Sequence, residues 1–276
     1  MTATLTVRQA LAQAGLEPID AQVLLAHVLA VDRSWLAAHA TDPLAAGDVE
    51  RFFALARRRR DGDPVAYLPG RREFWRLALA IDRSVLIPRP ETETLVECAL
   101  ERLPADRPVR VLDLGTGSGA VALAIACERP LAEVWGTDRS PAALALARAN
   151  AERMKLTNLR WLQSDWYDEV GEEVGRFDLI ASNPPYVAEG DPHLREGDVR
   201  FEPPTALIAG RDGLDALRII VGGARSRLVA GGFLVVEHGY DQADAVRDLL
   251  LRAGFCGLAS RRDLAGIARV AVGRAP

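Results

Sequence analysis

The feature that most restricts the possible folds is an apolar run that enters a glycine-rich turn and then an apolar helix. The run covers residues 109–114, the turn holds Gly115, Gly117 and Gly119, and the predicted helix follows at residues 121–127. A buried strand, a tight turn and a helix in this order are typical of a βα unit. Predicted strands and helices continue to alternate from residue 109 onward. We therefore expect an α/β domain built on a doubly wound, Rossmann-like sheet.

The first 70 or so residues have a different pattern, in which apolar side chains repeat at helical spacing. Leu24, Val28 and Val31 share one helix face, and residues 49–56 repeat the same spacing. Four or five short helices of this kind predict a small helical-bundle domain over residues 1–72.

A change of pattern separates this bundle from the α/β region. Residues 74–81 and 84–87 flank Asp82 and Arg83, which predicts a β-hairpin linker over residues 73–90 with its turn at those two residues. The α/β domain would then occupy residues 91–276.

The glycine-rich turn has features of a ligand site. Glycines let the backbone pass close to a ligand, and the helix N-terminus offers free N–H groups there. Gly115, Gly117 and Ala120 also satisfy the permissive dinucleotide pattern, so NAD remains possible from this segment alone. Asp113, two residues before Gly115, is placed to hold a cationic group such as the amino group of a methionine moiety.

Asp138 ends the next predicted strand, residues 134–138. This is about where a ribose-binding carboxylate is expected after a glycine turn. The alternative is an acid at the start of a helix, although Ser140 as N-cap and Pro141 as first helical residue already explain that start.

A further short strand, residues 177–182, stops at the tetrapeptide Asn183-Pro184-Pro185-Tyr186. Prolines cannot donate to a sheet ladder, so the strand ends there. The tetrapeptide provides an amide side chain, backbone carbonyls held by two rigid residues, and an aromatic ring. Together these groups can bind a planar amino or amide nitrogen. If Asn183 Oδ1 and the Pro184 carbonyl accept its N–H hydrogens, its lone pair can turn toward an electrophile. The plain alternative is a strand followed by a proline turn.

The order along the chain is the glycine loop, the acid-tipped strand, residues 163–166 and the Asn183 tetrapeptide. This order resembles the class I S-adenosylmethionine-dependent methyltransferases that alkylate exocyclic or amide nitrogens. More narrowly, the chain resembles the release factor glutamine methyltransferase family over most of its length. Further elements of the resemblance are residues 64–70, Phe74, 86–93, 201–203, 206–207, 213–214, Arg218, 231–232, 237–239, 263–266 and Arg269. Each element alone is a weak signal, and their shared order makes a chance match improbable.

The resemblance implies transfer of a methyl group from S-adenosylmethionine to the N5 nitrogen of a glutamine side chain. The substrate that it implies is a class I peptide chain release factor, modified in its Gly-Gly-Gln loop. The N-terminal domain would help recognise that protein, and residues 91–276 would form the cofactor-binding catalytic domain. No direct contact with nucleic acid is required, and neither a membrane nor a metal is expected.

The resemblance also implies roles for individual residues. The loop formed by Gly115, Thr116, Gly117, Ser118 and Gly119 would approach the methionine part of the cofactor. Asp138 would bind its ribose and Trp166 would pack over its adenine, although core packing explains Trp166 nearly as well from physics alone. The catalytic residues, which hold the substrate amide, would be Asn183, Pro184, Pro185 and Tyr186, with Asn183 also next to the cofactor.

Composition favours a soluble cytoplasmic enzyme. The 34 basic and 38 acidic residues give a net charge of −4, which is a poor footprint for a nucleic-acid binder. Cys98, Cys127 and Cys256 lie far apart, which predicts buried free thiols in a reducing compartment and argues against a zinc site. No apolar run has membrane-spanning length, and residues 1–4 lead into a helical pattern, so we expect no secretory signal.

Three other functions stay open. A DNA adenine N6-methyltransferase would use the same tetrapeptide on a flipped base, but it needs a basic recognition region that this acidic chain does not evidently have. An NAD-dependent oxidoreductase fits the glycine loop and leaves residues 183–186 unexplained. A non-catalytic binding protein could share the fold, because fold does not establish activity.

Two features outside these motifs have structural interpretations. The arginine run at residues 57–60 ends a predicted helix, where cations complement the helix dipole, and an acidic or phosphate-bearing partner is the alternative. His238 follows an apolar strand near the expected pocket. A structural histidine is favoured over a catalytic base, because the methylated nitrogen can lose its proton after transfer.

Overall fold

A computed structural model of the chain describes residues 5–276. Residues 1–4, which we expect to lead into a helical pattern without a secretory signal, lie outside the described residues. The chain divides into two compact units. One unit ends at Arg71 and also includes Arg195–Phe201, and the other consists of Arg72–Leu194 and Glu202–Pro276.

The first unit is a small helical bundle. Within residues 5–71 its α-helices are α1 (Val7–Gln13), α2 (Pro18–Leu29), α3 (Arg33–Ala38) and α4 (Ala46–Arg60), followed by a 3₁₀ turn at Val65–Tyr67. Helix α1 starts with a capping box between Thr6 and Gln9. Leu24, Leu25 and Phe52 are fully buried in the core of the unit. The predicted helical bundle is confirmed.

The arginine run that ends α4 forms ion pairs within this unit. Arg59 forms ion pairs with Asp20 at 2.6 Å and with Asp198 at 2.5 Å. Arg58 forms an ion pair with Asp63 at 2.8 Å. These contacts support the structural interpretation of the run, because they join the end of α4 to neighbouring segments of the same unit.

A β-hairpin follows the bundle along the chain, but not where the sequence placed its turn. Its strands are β1 (Arg71–Phe74) and β2 (Leu77–Ala80), so the predicted turn at Asp82 and the predicted strand at residues 84–87 are wrong. The chain reverses at Trp75, which has a φ of +58° and donates its backbone N–H to Glu93. The Asp82 carboxylate instead accepts from the Ser84 N–H at 2.8 Å and makes a local turn.

The remainder of the second unit is an α/β domain with a seven-stranded sheet. The strands are β3 (Arg110–Leu114), β4 (Glu133–Asp138), β5 (Leu159–Gln163), β6 (Phe177–Ser182), β7 (Leu228–Glu237), β8 (Cys256–Arg262) and β9 (Ala268–Arg274). Their order across the sheet is β5-β4-β3-β6-β7-β9-β8. Strands β3 to β7 are parallel, and β9 runs antiparallel to both β7 and β8. The predicted doubly wound, Rossmann-like sheet is therefore confirmed.

Five α-helices in the described part of this unit pack with the sheet. They are α5 (Glu93–Leu100), α6 (Ala120–Glu128), α7 (Pro141–Arg153), α8 (Asp215–Arg227) and α9 (Ala243–Arg252), and a 3₁₀ turn at Pro90–Thr92 precedes α5. The start of α7 is as predicted, since Ser140 accepts from the Ala143 N–H and Pro141 is the first helical residue. Leu112 of β3 and Leu217 of α8 are fully buried in the main core.

The strand order positions the predicted site. Strands β4 and β5 lie on one side of β3, and β6 and β7 lie on the other. In such sheets ligands bind beyond the carboxyl ends of the strands, where the order changes direction. The glycine turn, Asp138, Trp166 and Asn183 come at or just after the carboxyl ends of β3, β4, β5 and β6. Four separate sequence segments therefore meet at one edge of the sheet.

Two expectations from composition can be compared with the structure. Cys98 is buried, but the free cysteines Cys127 and Cys256 are exposed, so the predicted burial of all three thiols is wrong. Cys127 lies at the end of α6, and Cys256 begins β8, an edge strand of the sheet. Across residues 5–276, no helix combines the length and apolar character needed to cross a membrane.

Candidate active site

A cavity of about 510 Å³ lies in the second unit, at the carboxyl edge of the parallel strands. Its volume is in the range of small-molecule sites. The predicted site residues that line it are Gly115, Thr116, Gly117, Ser118, Asp138, Trp166, Asn183 and Pro185. Gly119, Pro184 and Tyr186, although described, are not part of this lining. Most of the predicted residues thus share one cavity.

Gly117 and Gly119, in the loop after β3, are required for different structural reasons. Gly117 and Gly119 have φ values of +55° and +86°, a region that residues with side chains rarely adopt. An added Cβ would meet no atom within 4 Å at Gly117, whereas at Gly119 it would lie 2.9 Å from Leu123 and 3.2 Å from Ala147. Gly117 therefore leaves its backbone open at the cavity, and Gly119 allows α6 to pack against α7.

Asp138 joins the ends of two neighbouring strands. Its Oδ2 accepts from the Gly117 N–H at 2.9 Å, and its Oδ1 accepts from the Ser140 N–H at 2.9 Å. Each carboxylate oxygen has a second lone pair, so Asp138 can still accept hydrogen bonds from sugar hydroxyls. The carboxylate therefore has the structural task of organising the loop and the start of α7, and it also faces the cavity.

Asp113 is a buried carboxyl at the cavity wall, with 1% of its surface exposed. Its Oδ2 accepts from the Thr116 hydroxyl at 2.6 Å and from the Ala122 N–H at 3.1 Å. Burial is the main cause that raises the pKa of Asp113 to about 7, and these two hydrogen bonds oppose it. A cationic group in the cavity would favour the ionised form of Asp113.

Trp166 forms part of the cavity wall beside the glycine loop. An added Cβ at Gly115 would lie 3.5 Å from Trp166 Cζ3, which shows how closely the indole approaches the loop. The backbone of Trp166 has a φ of +50°, and its carbonyl accepts from the Ser164 hydroxyl at 3.0 Å. The ring also packs against the main core. Its position suits both interpretations, a face for an adenine and a core contact.

Asn183 presents an amide at the cavity wall. Its Nδ2 donates to Thr92 Oγ1 at 2.9 Å, and Thr92, only 3% exposed, ends the 3₁₀ turn before α5. An amide nitrogen only donates, and Nδ2 is turned toward Thr92, so Oδ1 is the side-chain atom of Asn183 that can accept a hydrogen bond from a ligand. Pro185 lines the cavity beside it, while the ring of Pro184 is buried.

Tyr186 is directed to the end of β7. Its hydroxyl donates to Glu237 Oε1 at 3.1 Å, and its carbonyl accepts from Gln242 Nε2 at 3.0 Å. Burial raises the pKa of Tyr186 well above its usual range and raises the pKa of Glu237 to about 7. The aromatic ring is thus fixed by its hydroxyl to a buried carboxyl.

Sequence reasoning gave no role in the site to Thr92, Glu202 or Glu237, although each lies in a segment of the resemblance. Glu202, 3% exposed, accepts from the Ile87 N–H at 2.9 Å and forms an ion pair with Arg89. It thereby holds the segment that leads to Thr92. For Glu237 the sequence did offer a signal, because this carboxyl stands at the end of an apolar strand, as Asp138 does. The contact between Glu202 and Ile87 spans 115 positions, and no local pattern reveals it.

His238 has the geometry of a structural histidine. It is fully buried, and its Nδ1 lies 2.8 Å from the Gly239 carbonyl. Because a carbonyl only accepts, Nδ1 carries the proton. Burial lowers the pKa of His238, which keeps the ring neutral near neutral pH. His238 is not part of the cavity lining. Within residues 5–276 no group of three or more His, Cys, Asp or Glu residues is suited to hold a metal ion.

A Rossmann-like sheet whose glycine loop, acid-tipped strand and Asn-Pro-Pro-Tyr segment meet at one edge defines a class I methyltransferase. Family models agree, with the PrmC N-terminal domain matching residues 3–70 and the methyltransferase small domain matching residues 92–196. The chain belongs to the release factor glutamine methyltransferase family.

Two curated relatives carry this assignment. The release factor glutamine methyltransferase of Xylella fastidiosa is 55% identical over 261 residues, which cover 95% of this chain and 94% of the relative. The release factor glutamine methyltransferase of Escherichia coli is 47% identical over 255 residues, which cover 92% of this chain and 91% of the relative.

Solved structures agree on the fold. A 16S rRNA methyltransferase from T. thermophilus, solved in complex with AdoMet and guanosine, matches 75% of this chain and 50% of its own chain. Its TM-score is 0.55 at 23% sequence identity, so the likeness concerns the fold alone.

Proposed function

We propose that the protein transfers a methyl group from S-adenosylmethionine to the N5 amide nitrogen of a glutamine in class I peptide chain release factors, in their Gly-Gly-Gln loop. The observation that carries the proposal is that Gly117, Asp138 and Asn183 face one cavity, with the Asn183 nitrogen already engaged by Thr92. The names of relatives 47–55% identical to this chain support the substrate class. A substrate from the translation machinery locates the reaction in the cytoplasm.

The residues of the cavity fit the cofactor. The open backbone at Gly117 suits close approach of its amino-acid part, the free lone pairs of Asp138 suit ribose hydroxyls, and the indole of Trp166 suits a planar base. Asp113, which lines the cavity, suits a cationic amino group. When bound, S-adenosylmethionine supplies an electrophilic methyl group on a positively charged sulfur.

Asn183 holds the reacting nitrogen in this scheme. An amide nitrogen is a weak nucleophile because its lone pair is delocalised. With the Asn183 Oδ1 and the Pro184 carbonyl accepting the two N–H hydrogens, the lone pair of the substrate nitrogen turns toward the methyl group. Correct positioning supplies much of the rate. No general base is required, because the nitrogen loses its proton after transfer, and the neutral, buried His238 takes no part.

The two parts of the chain have separate roles in this proposal. We assign recognition of the protein substrate to the N-terminal helical domain, residues 1–72, and catalysis to residues 91–276, with residues 73–90 as the linker. The net charge of −4 favours a protein substrate over DNA, since a DNA methyltransferase needs a basic recognition region, which this sequence does not evidently have.

Mapping the methylated atom tests the proposal. The purified full-length protein is mixed with methyl-labelled S-adenosylmethionine and a purified class I release factor, and the labelled residue is located by mass spectrometry. We expect the label on the glutamine of the Gly-Gly-Gln loop, and no label on a release factor in which alanine replaces that glutamine. Parallel mixtures contain adenine-rich DNA. Label on the DNA, or on another residue only, would reject the proposed substrate.

A further inference from the structure

Two irregular segments form the part of the cavity wall that the cofactor assignment leaves free. They are residues 84–92 and residues 204–210, and neither contributes to an α-helix or to a strand. The loops after β3, β4 and β5 are assigned to S-adenosylmethionine, so these two segments are left to surround the substrate side chain. Their residues in the lining are all uncharged and include Val85, Leu86, Pro88, Ala206 and Ile208. An uncharged wall suits the neutral side chain of a glutamine.

Glu202 joins the two segments. It stands two residues before the second segment, and its side chain is fully buried. Its Oε2 accepts from the Ile87 N–H at 2.9 Å, and its Oε1 forms an ion pair with Arg89. Glu202, Ile87 and Arg89 are not part of the cavity lining. The carboxylate and the guanidinium therefore lie behind the wall, where they connect its two parts without placing a charge in the lining.

The connection continues from Arg89 to Asn183. The Arg89 carbonyl accepts from the Thr92 N–H at 3.1 Å, in the 3₁₀ turn that precedes α5. Thr92 Oγ1 in turn accepts from Asn183 Nδ2 at 2.9 Å. A shift of Arg89 would therefore move Thr92, and with it the amide that faces the cavity.

We infer that Glu202 and Arg89 are positioning residues that hold the wall around the substrate glutamine and, through Thr92, the amide of Asn183. Neither residue touches the reacting atoms. The inference rests on the proposed function and deepens it, because it identifies what fixes the substrate side of the cavity. A small displacement of groups that hold a reacting atom costs a large part of the rate, even when the binding of the other reactant is intact.

Glu202→Gln is the first test. The amide keeps the size of the side chain and one acceptor for the Ile87 N–H, but it cannot form the ion pair with Arg89. Single-turnover methylation of a purified class I release factor is measured with saturating S-adenosylmethionine and saturating release factor. We expect a rate lower by about 10- to 100-fold. Calorimetry should give a cofactor affinity within about threefold of wild type, which also reports that the variant is folded.

Glu133→Gln is the matched control. Glu133, the first residue of β4, forms an ion pair with Arg110 at 2.9 Å and is not part of the cavity lining. This variant also removes one carboxylate from an ion pair with an arginine. We expect its single-turnover rate to stay within about twofold of wild type, because surface ion pairs contribute little.

A double variant tests whether the two residues act together. Arg89→Gln should also be slow, and Glu202→Gln combined with Arg89→Gln should be no slower than the slower single variant, because both changes break one contact. Hydrogen exchange followed by mass spectrometry gives a readout of position. We expect faster exchange over residues 84–92 in Glu202→Gln than in wild type, and unchanged exchange over the same residues in Glu133→Gln.

The outcomes separate the positioning role from the proposed function. A wild-type protein that does not methylate the release factor overturns the proposed function and this role with it. With an active wild type, a wild-type rate for Glu202→Gln, unchanged exchange over residues 84–92, or rate losses that multiply in the double variant would overturn the positioning role alone. If Glu202→Gln loses cofactor binding through misfolding, Arg89→Gln decides, and a wild-type rate for that variant overturns the role.

Discussion

The backbone N–H of Gly117 donates a 2.9 Å hydrogen bond to Oδ2 of Asp138. The glycine loop after β3 and the acid at the tip of β4 are therefore one structural feature. A ligand that binds the Asp138 carboxylate also contacts a loop whose shape depends on that carboxylate. Loss of the carboxylate should therefore remove a direct ligand contact and also disturb the loop.

Replacement of Asp138 by alanine should weaken cofactor binding. The variant loses a charge-assisted acceptor for the ribose hydroxyls, worth roughly 1.5–3 kcal/mol, and it releases the Gly117 N–H. Calorimetric titration of S-adenosylmethionine measures the change. The exposed Asp168, which lies outside the cavity lining, gives the control variant Asp168→Ala, for which we expect wild-type affinity. Unchanged affinity for Asp138→Ala would remove Asp138 from the site.

Alanine at Gly119 and alanine at Gly117 should have different effects. At Gly119 the new Cβ would lie 2.9 Å from Leu123 Cδ1 on a backbone with a φ of +86°, so we expect a loss of stability of about 1–3 kcal/mol. At Gly117 no atom lies within 4 Å of the new Cβ, and we expect a smaller loss of stability but a clear loss of cofactor affinity. Thermal unfolding and calorimetric titration measure the two effects. A Gly119→Ala protein as stable as wild type would contradict this assignment.

The parts of the site that sequence could predict are those that follow a strand directly. Gly117, Asp138 and Asn183 each stand at or just after the end of a strand whose apolar pattern is local, and the ends of parallel strands meet at one edge of the sheet. Thr92 could not be placed in this way. It meets Asn183 across 91 positions of sequence, and that contact depends on how the segment before α5 packs.

The hairpin shows a second limit of local patterns. Asp82 followed by Arg83 between apolar runs predicts a turn, and a turn is present, but its hydrogen bond is with Ser84 and not across paired strands. The reversal occurs at Trp75, whose N–H is satisfied by the distant Glu93. The backbone N–H at the reversal is therefore satisfied by a tertiary contact that the local pattern does not show.

The pKa of Asp113 predicts a pH dependence of stability in the absence of cofactor. The pKa is about 7 in the folded protein against 3.8 for an unperturbed aspartate, so the native state binds more protons between these values. Stability from this group is fully present below about pH 4 and is lost as pH rises through about 7. In Asp113→Asn this contribution is absent. The stability of wild type relative to the variant, measured by denaturant unfolding, should fall between pH 5 and pH 8 by a few kcal/mol, at about 1.4 kcal/mol per pKa unit. A constant difference would contradict the burial of an ionisable Asp113.

A fragment that begins at the second unit tests the role of the N-terminal domain. Residues 72–276 keep the hairpin except for Arg71, the first residue of β1, and they keep the contact between Ala80 and the buried Asn150 and the whole cavity lining. We expect this fragment to bind S-adenosylmethionine as the full chain does and to lose most of its activity on an intact release factor. Calorimetry provides the folding control. Equal methylation rates for the fragment and the full chain would argue against a recognition role for residues 1–72.

Asn183 is expected to act on the substrate nitrogen more than on the cofactor. Asn183→Ala removes an acceptor at the reacting amide, which commonly costs on the order of 10²–10³ in rate. The affinity for S-adenosylmethionine should fall by less, because the glycine loop and Asp138 remain. Single-turnover rates and calorimetric titration measure the two quantities, and near-wild-type turnover of Asn183→Ala would overturn the mechanism.

Asn183→Asp is the sharper variant at this position. It keeps an acceptor oxygen for the substrate but replaces the Nδ2 donor that Thr92 accepts at 2.9 Å. Its second oxygen cannot donate to Thr92 Oγ1, and the new carboxylate adds a negative charge to a cavity lining that already contains the carboxyls of Asp113 and Asp138. We therefore expect Asn183→Asp to be as slow as Asn183→Ala in single-turnover methylation of a release factor. If it retains turnover well above that of the alanine variant, the acceptor alone is sufficient, and the contact with Thr92 is not needed to direct it.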